Sequence, residues 1–199
     1  MPEQPSEQDI RMWHRRFGME ANNRAWTLSE RTSLEVQEKT ELVYAAYAAA
    51  HHWSKVGAEE QVAQAELLLG RVHALLGQGD LAMRFAIAAF KSITSRESAP
   101  WEVALAHAIL ANAAVASGDY QAHGEHYAQA KALGEGLTDV QDRGLFFATV
   151  QSHSSTRHII GRPSDGLILG CRVDASRRLR RRVIATQRIS PLSIRGTTR

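Results

Sequence analysis

The sequence predicts an all-α fold for residues 1–150, built of about seven helices that pair as antiparallel hairpins. Ala, Leu, Glu and Gln dominate this part of the chain and strand-favouring residues are scarce, which favours helix. The helical spacing of apolar residues is interrupted at intervals by Gly, Ser, Thr and Asp, which are typical of helix ends and turns. The loops are therefore short, and short loops make neighbouring helices antiparallel. With 199 residues in all, the chain is long enough for one domain with a sizeable core.

The first predicted helix runs from about Asp9 to Ser29. Ser6 and Asp9 have the spacing of a capping box, in which each residue satisfies the other's free backbone N–H. A second capping-box pair, Thr32 and Glu35, predicts the start of a second helix that stops at Gly57. The apolar residues of the first helix recur at steps of three and four and share one face, namely Ile10, Trp13, Phe17, Ala21, Ala25 and Leu28.

The third and fourth helices are separated by a glycine-rich turn. The third is predicted over 58–76 and ends before Gly77, because a glycine just past a helix end is a common stop. Asp80 is then predicted to cap the fourth helix, which reaches about Thr94.

Three more helices follow in the same way. Pro100 is placed in the first turn of the fifth helix, where its missing N–H costs nothing. Gly118 and Asp119 divide the fifth helix from the sixth, and the sixth ends within 134–136. A third capping-box pair predicts a seventh helix over 138–150.

An internal repeat with a spacing of 41 residues supports this division. Both copies have a Leu followed by a small residue, a turn glycine and small residues in the next helix. The first copy has Leu69-Gly70, His73, Gly77, Ala82, Ala86 and Ala89, and the second has His107, Leu110-Ala111, Gly118, Tyr127 and Ala130. The pattern resembles the tetratricopeptide repeat (TPR), which implies hairpins stacked as a short right-handed superhelix, followed here by an irregular C-terminal tail.

The resemblance also implies that the first helix of each repeat lines a concave surface that binds a protein or peptide. The expected partner-binding residues there are Gln64, Leu67, Arg71, Leu75 and Asn112, in a set that also contains Ala74, Leu105, Ala108 and Val115. Either this mainly apolar set grips an amphipathic segment, or the first two helices cover it as additional core.

His51 and His52 complete the predicted partner-binding residues, at the end of the second helix. Cations there are favoured by the helix dipole. A sharper hypothesis places these histidines with Arg71 in a site for an anion or an acidic peptide.

The sequence contains no motif of a catalytic or cofactor-binding site. His123 and His126 are three residues apart without a third metal ligand at suitable spacing, and Cys171 has no evident base partner. We therefore expect no catalytic residues, no metal and no cofactor, and a non-catalytic scaffold whose partner is a protein or peptide, including a second copy in a homodimer. A small-ligand binder or enzyme would instead need a pocket shared by His51, His52, Arg71 and Asn112.

The net charge of +3 is the sum of an acidic part and a basic part of the chain. Residues 1–150 contain 13 basic and 19 acidic residues, a net charge of −6, whereas residues 151–199 contain 11 Arg and two Asp, a net charge of +9. One interpretation is that this tail, with its basic stretch 177–182, is an arm that neutralises phosphates and binds nucleic acid. The others are a disordered segment, a non-native segment translated out of frame, or a structured extension.

The sequence also suggests a location. The N-terminus is polar and acidic rather than basic and then apolar, unlike a secretory signal. No apolar stretch approaches the roughly 18 residues that a membrane-spanning helix needs. We therefore expect a cytoplasmic protein with no membrane partner.

Overall fold

The computed structural model describes residues 4–56, 59–140, 143, 144 and 146, and within them the chain forms six α-helices and no strand. The all-α prediction is thereby confirmed. The predicted seventh helix falls mostly on residues outside this part of the chain, as do Gly57 and all of 151–199. The helices are α1 (Glu7–Ser29), α2 (Val36–Val56), α3 (Glu59–Leu75), α4 (Gly79–Thr94), α5 (Pro100–Ser117) and α6 (Tyr120–Glu135).

Each helix packs against its neighbours in the chain. In addition, α3 contacts both α1 and α5. Among the described residues, the backbones of α2, α4 and α6 stay apart from one another, and these helices meet only through side chains, such as Tyr47 with Phe85 and Phe90 with His126. The odd-numbered helices therefore form a central row and the even-numbered helices lie outside it. Because consecutive helices are antiparallel, α1, α3 and α5 run in the same direction.

Burial follows from these positions. The central helices α3 and α5 are buried on almost every side, with Leu68, Val72 and Ile109 fully inaccessible. The outer helix α4 buries a narrow stripe of small residues, which lets it approach α3 closely. At the closest point, a side chain on Gly70 would meet the backbone nitrogen of Ala86 at 3.0 Å, so the small residues predicted for packing do serve that purpose.

The turns after α3 and α5 have the same backbone geometry. Gly77 and Gly118 both have positive φ, 69° and 84°, which glycine adopts without steric cost. After each glycine the next N–H turns back onto the helix, from Gln78 to the carbonyl of His73 and from Asp119 to that of Ala114, both at 2.9 Å. The 41-residue sequence repeat is thus also a repeat of backbone structure.

The helix starts agree only in part with the predictions. The capping box of α1 is confirmed, with Ser6 N–H donating to Asp9 and Asp9 N–H to the Ser6 hydroxyl, each at 3.2 Å. The Thr32 prediction is wrong: α2 begins at Val36, because the Glu38 carboxylate accepts the N–H of Glu35 instead (3.1 Å).

The predicted cap at Asp80 is also wrong. Helix α4 begins one residue earlier, at Gly79, and its N-cap residue Gln78 makes no side-chain capping bond. The reason is tertiary: Gly79 lies directly against the end of α5, where a side chain would come within 2.5 Å of the Ala116 carbonyl oxygen. In α6, by contrast, Asp119 does cap the helix by accepting the N–H of Ala122 at 2.9 Å.

Candidate functional site

The residues predicted to line a concave surface lie mostly inside the protein. On α3, Gln64, Leu67 and Arg71 are buried, and Leu75 is half-buried. On α5, Asn112 is half-buried, while the neighbouring Ala104 and Ala108 are covered by a cluster that includes Leu137 and Phe146. Of the two alternatives for this set, additional core rather than an open groove describes its positions in the structure. Its role in partner binding stays a prediction.

Arg71 is fully inaccessible to solvent and is held by the end of α1. Its Nε–H donates to the Ser29 hydroxyl (2.9 Å), and a terminal nitrogen donates to the Ser29 carbonyl (3.2 Å). The guanidinium also lies over the Trp26 ring. Burial lowers the Arg71 pKa to about 10, an effect that the carboxylate of Glu30 partly offsets.

Gln64 belongs to a second buried polar contact, between α3 and α5. Its side-chain amide donates to the Glu102 carboxylate at 3.0 Å. Glu102 also accepts from the Arg96 guanidinium and from the Ala99 N–H, both at 3.4 Å. Among the described residues the Gln64 carbonyl and Arg96 Nε have no hydrogen-bond partner, but the remaining contacts join the start of α5 to α3.

His51 and His52 lie at the other end of the hairpin from Arg71. The Nδ1 atoms of His52 and His14 are 2.9 Å apart. His52 therefore contacts α1 at His14, which lies fifteen residues before Ser29 on the same helix. At a rise of 1.5 Å per residue this is about 22 Å from the Arg71 contact. The structure therefore does not bring His51, His52 and Arg71 into one anion site or one pocket.

A second histidine pair joins the last hairpin in the same manner. The Nδ1 atoms of His107 and His126 are 3.0 Å apart, between α5 and α6, and Phe90 packs edge-on against His107. Burial lowers the His107 pKa, and the nearby His126 adds to this effect. His123, three residues before His126, also faces α5, with its Nδ1 3.0 Å from the Ala111 carbonyl oxygen.

These histidines do not assemble a metal site. Within residues 4–140 and the few described beyond, apart from the gap at 57–58, no three His, Cys, Asp or Glu side chains are placed to hold a metal ion. The same part of the chain contains no helix long and apolar enough to cross a membrane.

The N-terminal half of α1 carries an exposed apolar stripe, formed by Ile10, Trp13 and Phe17. These side chains are 40%, 44% and 47% exposed, although their spacing predicts a buried face. Trp26 and Trp53 are buried as expected for core anchors, but Trp13 is not. We refer to Ile10, Trp13 and Phe17 as the α1 stripe.

The lengths of the helices explain this exposure. Arg71 on α3 is paired with Ser29 on the parallel helix α1. Counting back from this pair, α3 begins 12 residues earlier and α1 begins 22 residues earlier. Helix α1 therefore extends about ten residues, or ~15 Å, beyond the start of α3, and within the described part of the chain this extension packs on α2.

Comparison of the chain with protein families, with curated proteins and with solved structures gave no match. The resemblance to the tetratricopeptide repeat therefore stays a prediction that rests on the residues quoted for it.

Proposed function

We propose that the protein is a non-catalytic helical-repeat scaffold that binds a partner protein through the α1 stripe. The observation that carries the proposal is the exposure of Ile10, Trp13 and Phe17 side by side on one helix. Contiguous apolar surface of this kind is typical of interaction sites, whereas single exposed apolar residues need no explanation. Aromatic residues such as Trp13 are also enriched among the residues that dominate binding energy.

We further propose that the hairpins form a short TPR-like superhelix. In support, α1, α3 and α5 form a central row while α2, α4 and α6 lie outside it. The matching turns at Gly77 and Gly118 give the α3–α4 hairpin and the α5–α6 hairpin the same turn geometry. The central row is largely covered, so the binding surface that we propose is the free end of the stack rather than its inner groove.

The spacing of the α1 stripe suggests the kind of partner. Positions 10, 13 and 17 follow one face of a helix, and such a face pairs with another amphipathic helix or with an apolar groove. A protein or peptide segment with apolar residues at helical spacing fits this description. A second copy of the chain is one such partner, because it carries the same stripe.

The experiment compares the full-length protein with a Trp13→Gln/Phe17→Gln variant. A matched control is Val36→Gln, since Val36 is exposed and apolar but lies at the start of α2, outside the stripe. Circular dichroism first establishes that all three proteins have the same helix content. Analytical ultracentrifugation over a range of concentrations then measures self-association, and immobilised protein measures the capture of other proteins from cell extract.

We expect the double variant to lose self-association or the captured partner, and Val36→Gln to retain it. Removing two central aromatic contacts weakens binding by about 2 kcal/mol or more, which is roughly thirtyfold in affinity. Identical association and capture by all three proteins would contradict the proposal.

The second candidate function, nucleic-acid binding, rests on the net charge of +9 of residues 151–199. It is tested in the full chain by replacing Arg177, Arg178, Arg180, Arg181 and Arg182 with Gln. If the tail binds phosphates, the affinity for DNA or RNA falls and its dependence on salt becomes weaker. If the unmodified chain shows no salt-dependent affinity, this candidate fails.

A further inference from the structure

The contact between His14 and His52 requires that at least one ring is neutral. Their Nδ1 atoms are 2.9 Å apart, and a hydrogen bond at this distance needs one N–H donor and one lone-pair acceptor. A protonated imidazole carries N–H on both nitrogens and has no acceptor left. When both rings are protonated, the hydrogen bond is lost and two positive charges face each other.

The surroundings of the pair offer little compensation for such charges. The titratable groups that act on His52 are His14 from α1 and His51 from α2, and together with burial they lower its pKa. Lys55, one turn further along α2, and Arg11, one turn before His14, are also cations.

Acidic groups lie on two neighbouring elements but do not offset these cations. Helix α3 packs on another side of α2 and begins with Glu59 and Glu60, and neither carboxylate contributes to the shift of the His52 pKa. On α1 itself, Glu20 is paired with Arg16 at 3.0 Å.

The element that this contact holds has few other attachments. The N-terminal half of α1 extends beyond the start of α3 and, among the residues that the structure describes, packs on α2. One further contact there is at Gly18, where the missing side chain lets the Trp53 ring approach: an added Cβ would lie 3.0 Å from it. Phe17 lies against His52, with ring centroids 5.7 Å apart, so the histidine pair and the α1 stripe belong to the same contact between α1 and α2.

We propose that the His14–His52 contact is a pH-sensitive device that holds the N-terminal half of α1 on α2 at neutral pH and releases it when both rings are protonated. Because it concerns the attachment of α1, this inference does not depend on whether the α1 stripe binds a partner. The direction follows from linkage: the released form, with ordinary histidines, binds more protons than the packed form. The packed form is therefore fully favoured above about pH 6.5 and loses stability as the pH falls below it.

Amide hydrogen exchange in the full-length protein tests this between pH 8 and pH 5. Protection factors, corrected for the intrinsic pH dependence of exchange, are compared for residues 10–17 and for the central residues 68–72. We expect protection of 10–17 to fall below pH 6.5, by at most about tenfold per pH unit for each additional proton bound. We expect protection of 68–72 to remain unchanged, since their burial does not depend on the pair.

Substitutions then assign the effect to the pair. In His52→Gln the remaining His14 can donate to the glutamine carbonyl when it is protonated, so protection of 10–17 should become independent of pH. In His14→Gln the burial of His52 remains, so a weaker pH dependence than in the wild type is expected. The control His123→Gln, on α6, should leave the wild-type profile unchanged.

Two results would overturn the proposal. One is a wild-type profile for 10–17 that is flat with pH or that falls in parallel with 68–72. The other is a pH dependence as strong as that of the wild type in both His52→Gln and His14→Gln.

Discussion

The guanidinium of Arg71 lies 5.1 Å from the ring centroid of Trp26, and through Ser29 it joins the end of α1 to the C-terminal part of the central helix α3. The Ser29 hydroxyl that accepts from Arg71 donates in turn to the Trp26 carbonyl at 2.9 Å. Arg71, one of the predicted partner-binding residues, is thus buried and joins two helices. Its energetic role gives the first prediction.

Replacing Arg71 with Ala should destabilise the protein by about 3–5 kcal/mol, because a cavity forms and the buried Ser29 carbonyl loses a donor. Arg71→Met should cost less, about 2 kcal/mol or below, since methionine fills part of the space without a desolvated charge. Urea denaturation measures both, with the exposed Arg84→Met as the control, for which a loss under about 1 kcal/mol is expected. Equal losses for Met and Ala would show that the hydrogen bonds, and not the packing, dominate.

Two glycines inside helices should respond oppositely to alanine. Gly79→Ala places a Cβ 2.5 Å from the Ala116 carbonyl oxygen and 2.6 Å from the Ser117 Cα, so α4 and α5 must separate, at a cost of about 1–3 kcal/mol or more. Gly124→Ala meets nothing within 4 Å and should stabilise α6 by about 0.5–1 kcal/mol. Thermal denaturation followed by circular dichroism measures both changes, and a stabilising Gly79→Ala would refute the close contact.

Asp119 and Asp80 each follow a glycine at the start of a helix, but only Asp119 is the N-cap residue, so their contributions should differ. Asp119→Ala removes the side-chain acceptor of the Ala122 N–H and should cost about 0.5–2 kcal/mol. Asp80→Ala removes only a charge in the first turn of α4, worth about 0.3–1 kcal/mol and weakened by salt. Unfolding free energies at low and high salt distinguish them, because only the Asp80 effect should largely disappear at high salt.

Glu102→Ala should destabilise the start of α5. The substitution leaves the amide of Gln64 and the guanidinium of Arg96 without their acceptor, which should cost about 2–4 kcal/mol. Glu97→Ala, an exposed carboxylate in the preceding loop, serves as the control and should change stability by less than about 0.5 kcal/mol. If the two variants unfold at the same urea concentration, the contact between α3 and α5 contributes nothing to stability.

Much of the fold could be predicted because its signals are local. The Ser6 and Asp9 pair and the glycines at 77 and 118 act within a few residues of themselves, and the structure places each as expected. The prediction of a cap at Asp80 was wrong because α4 begins at Gly79, which packs directly against the end of α5. The prediction of a cap at Thr32 was wrong because the Glu38 carboxylate, rather than the Thr32 hydroxyl, accepts the N–H of Glu35.

The candidate site was much less predictable, because its contacts join residues far apart in the sequence. His14 meets His52 across 38 residues, and Arg71 meets Ser29 across 42. No periodicity within one helix indicates such pairs. Periodicity likewise placed Trp13 on an apolar face, but only the different lengths of α1 and α3 show that no other described helix covers this face.

Each described helix contacts only helices one or two places away in the chain, and this has a consequence for how the protein forms. Contacts between residues close in sequence cost little loop entropy, so such chains fold quickly, and in stacked arrays folding can start at any hairpin and spread to the next. On a ribosome, α1, α2 and α3 could pack together before α5 and α6 are synthesised. The described part of the protein can therefore assemble in the order in which it is synthesised, because each of its helices packs on helices that are close to it in the sequence.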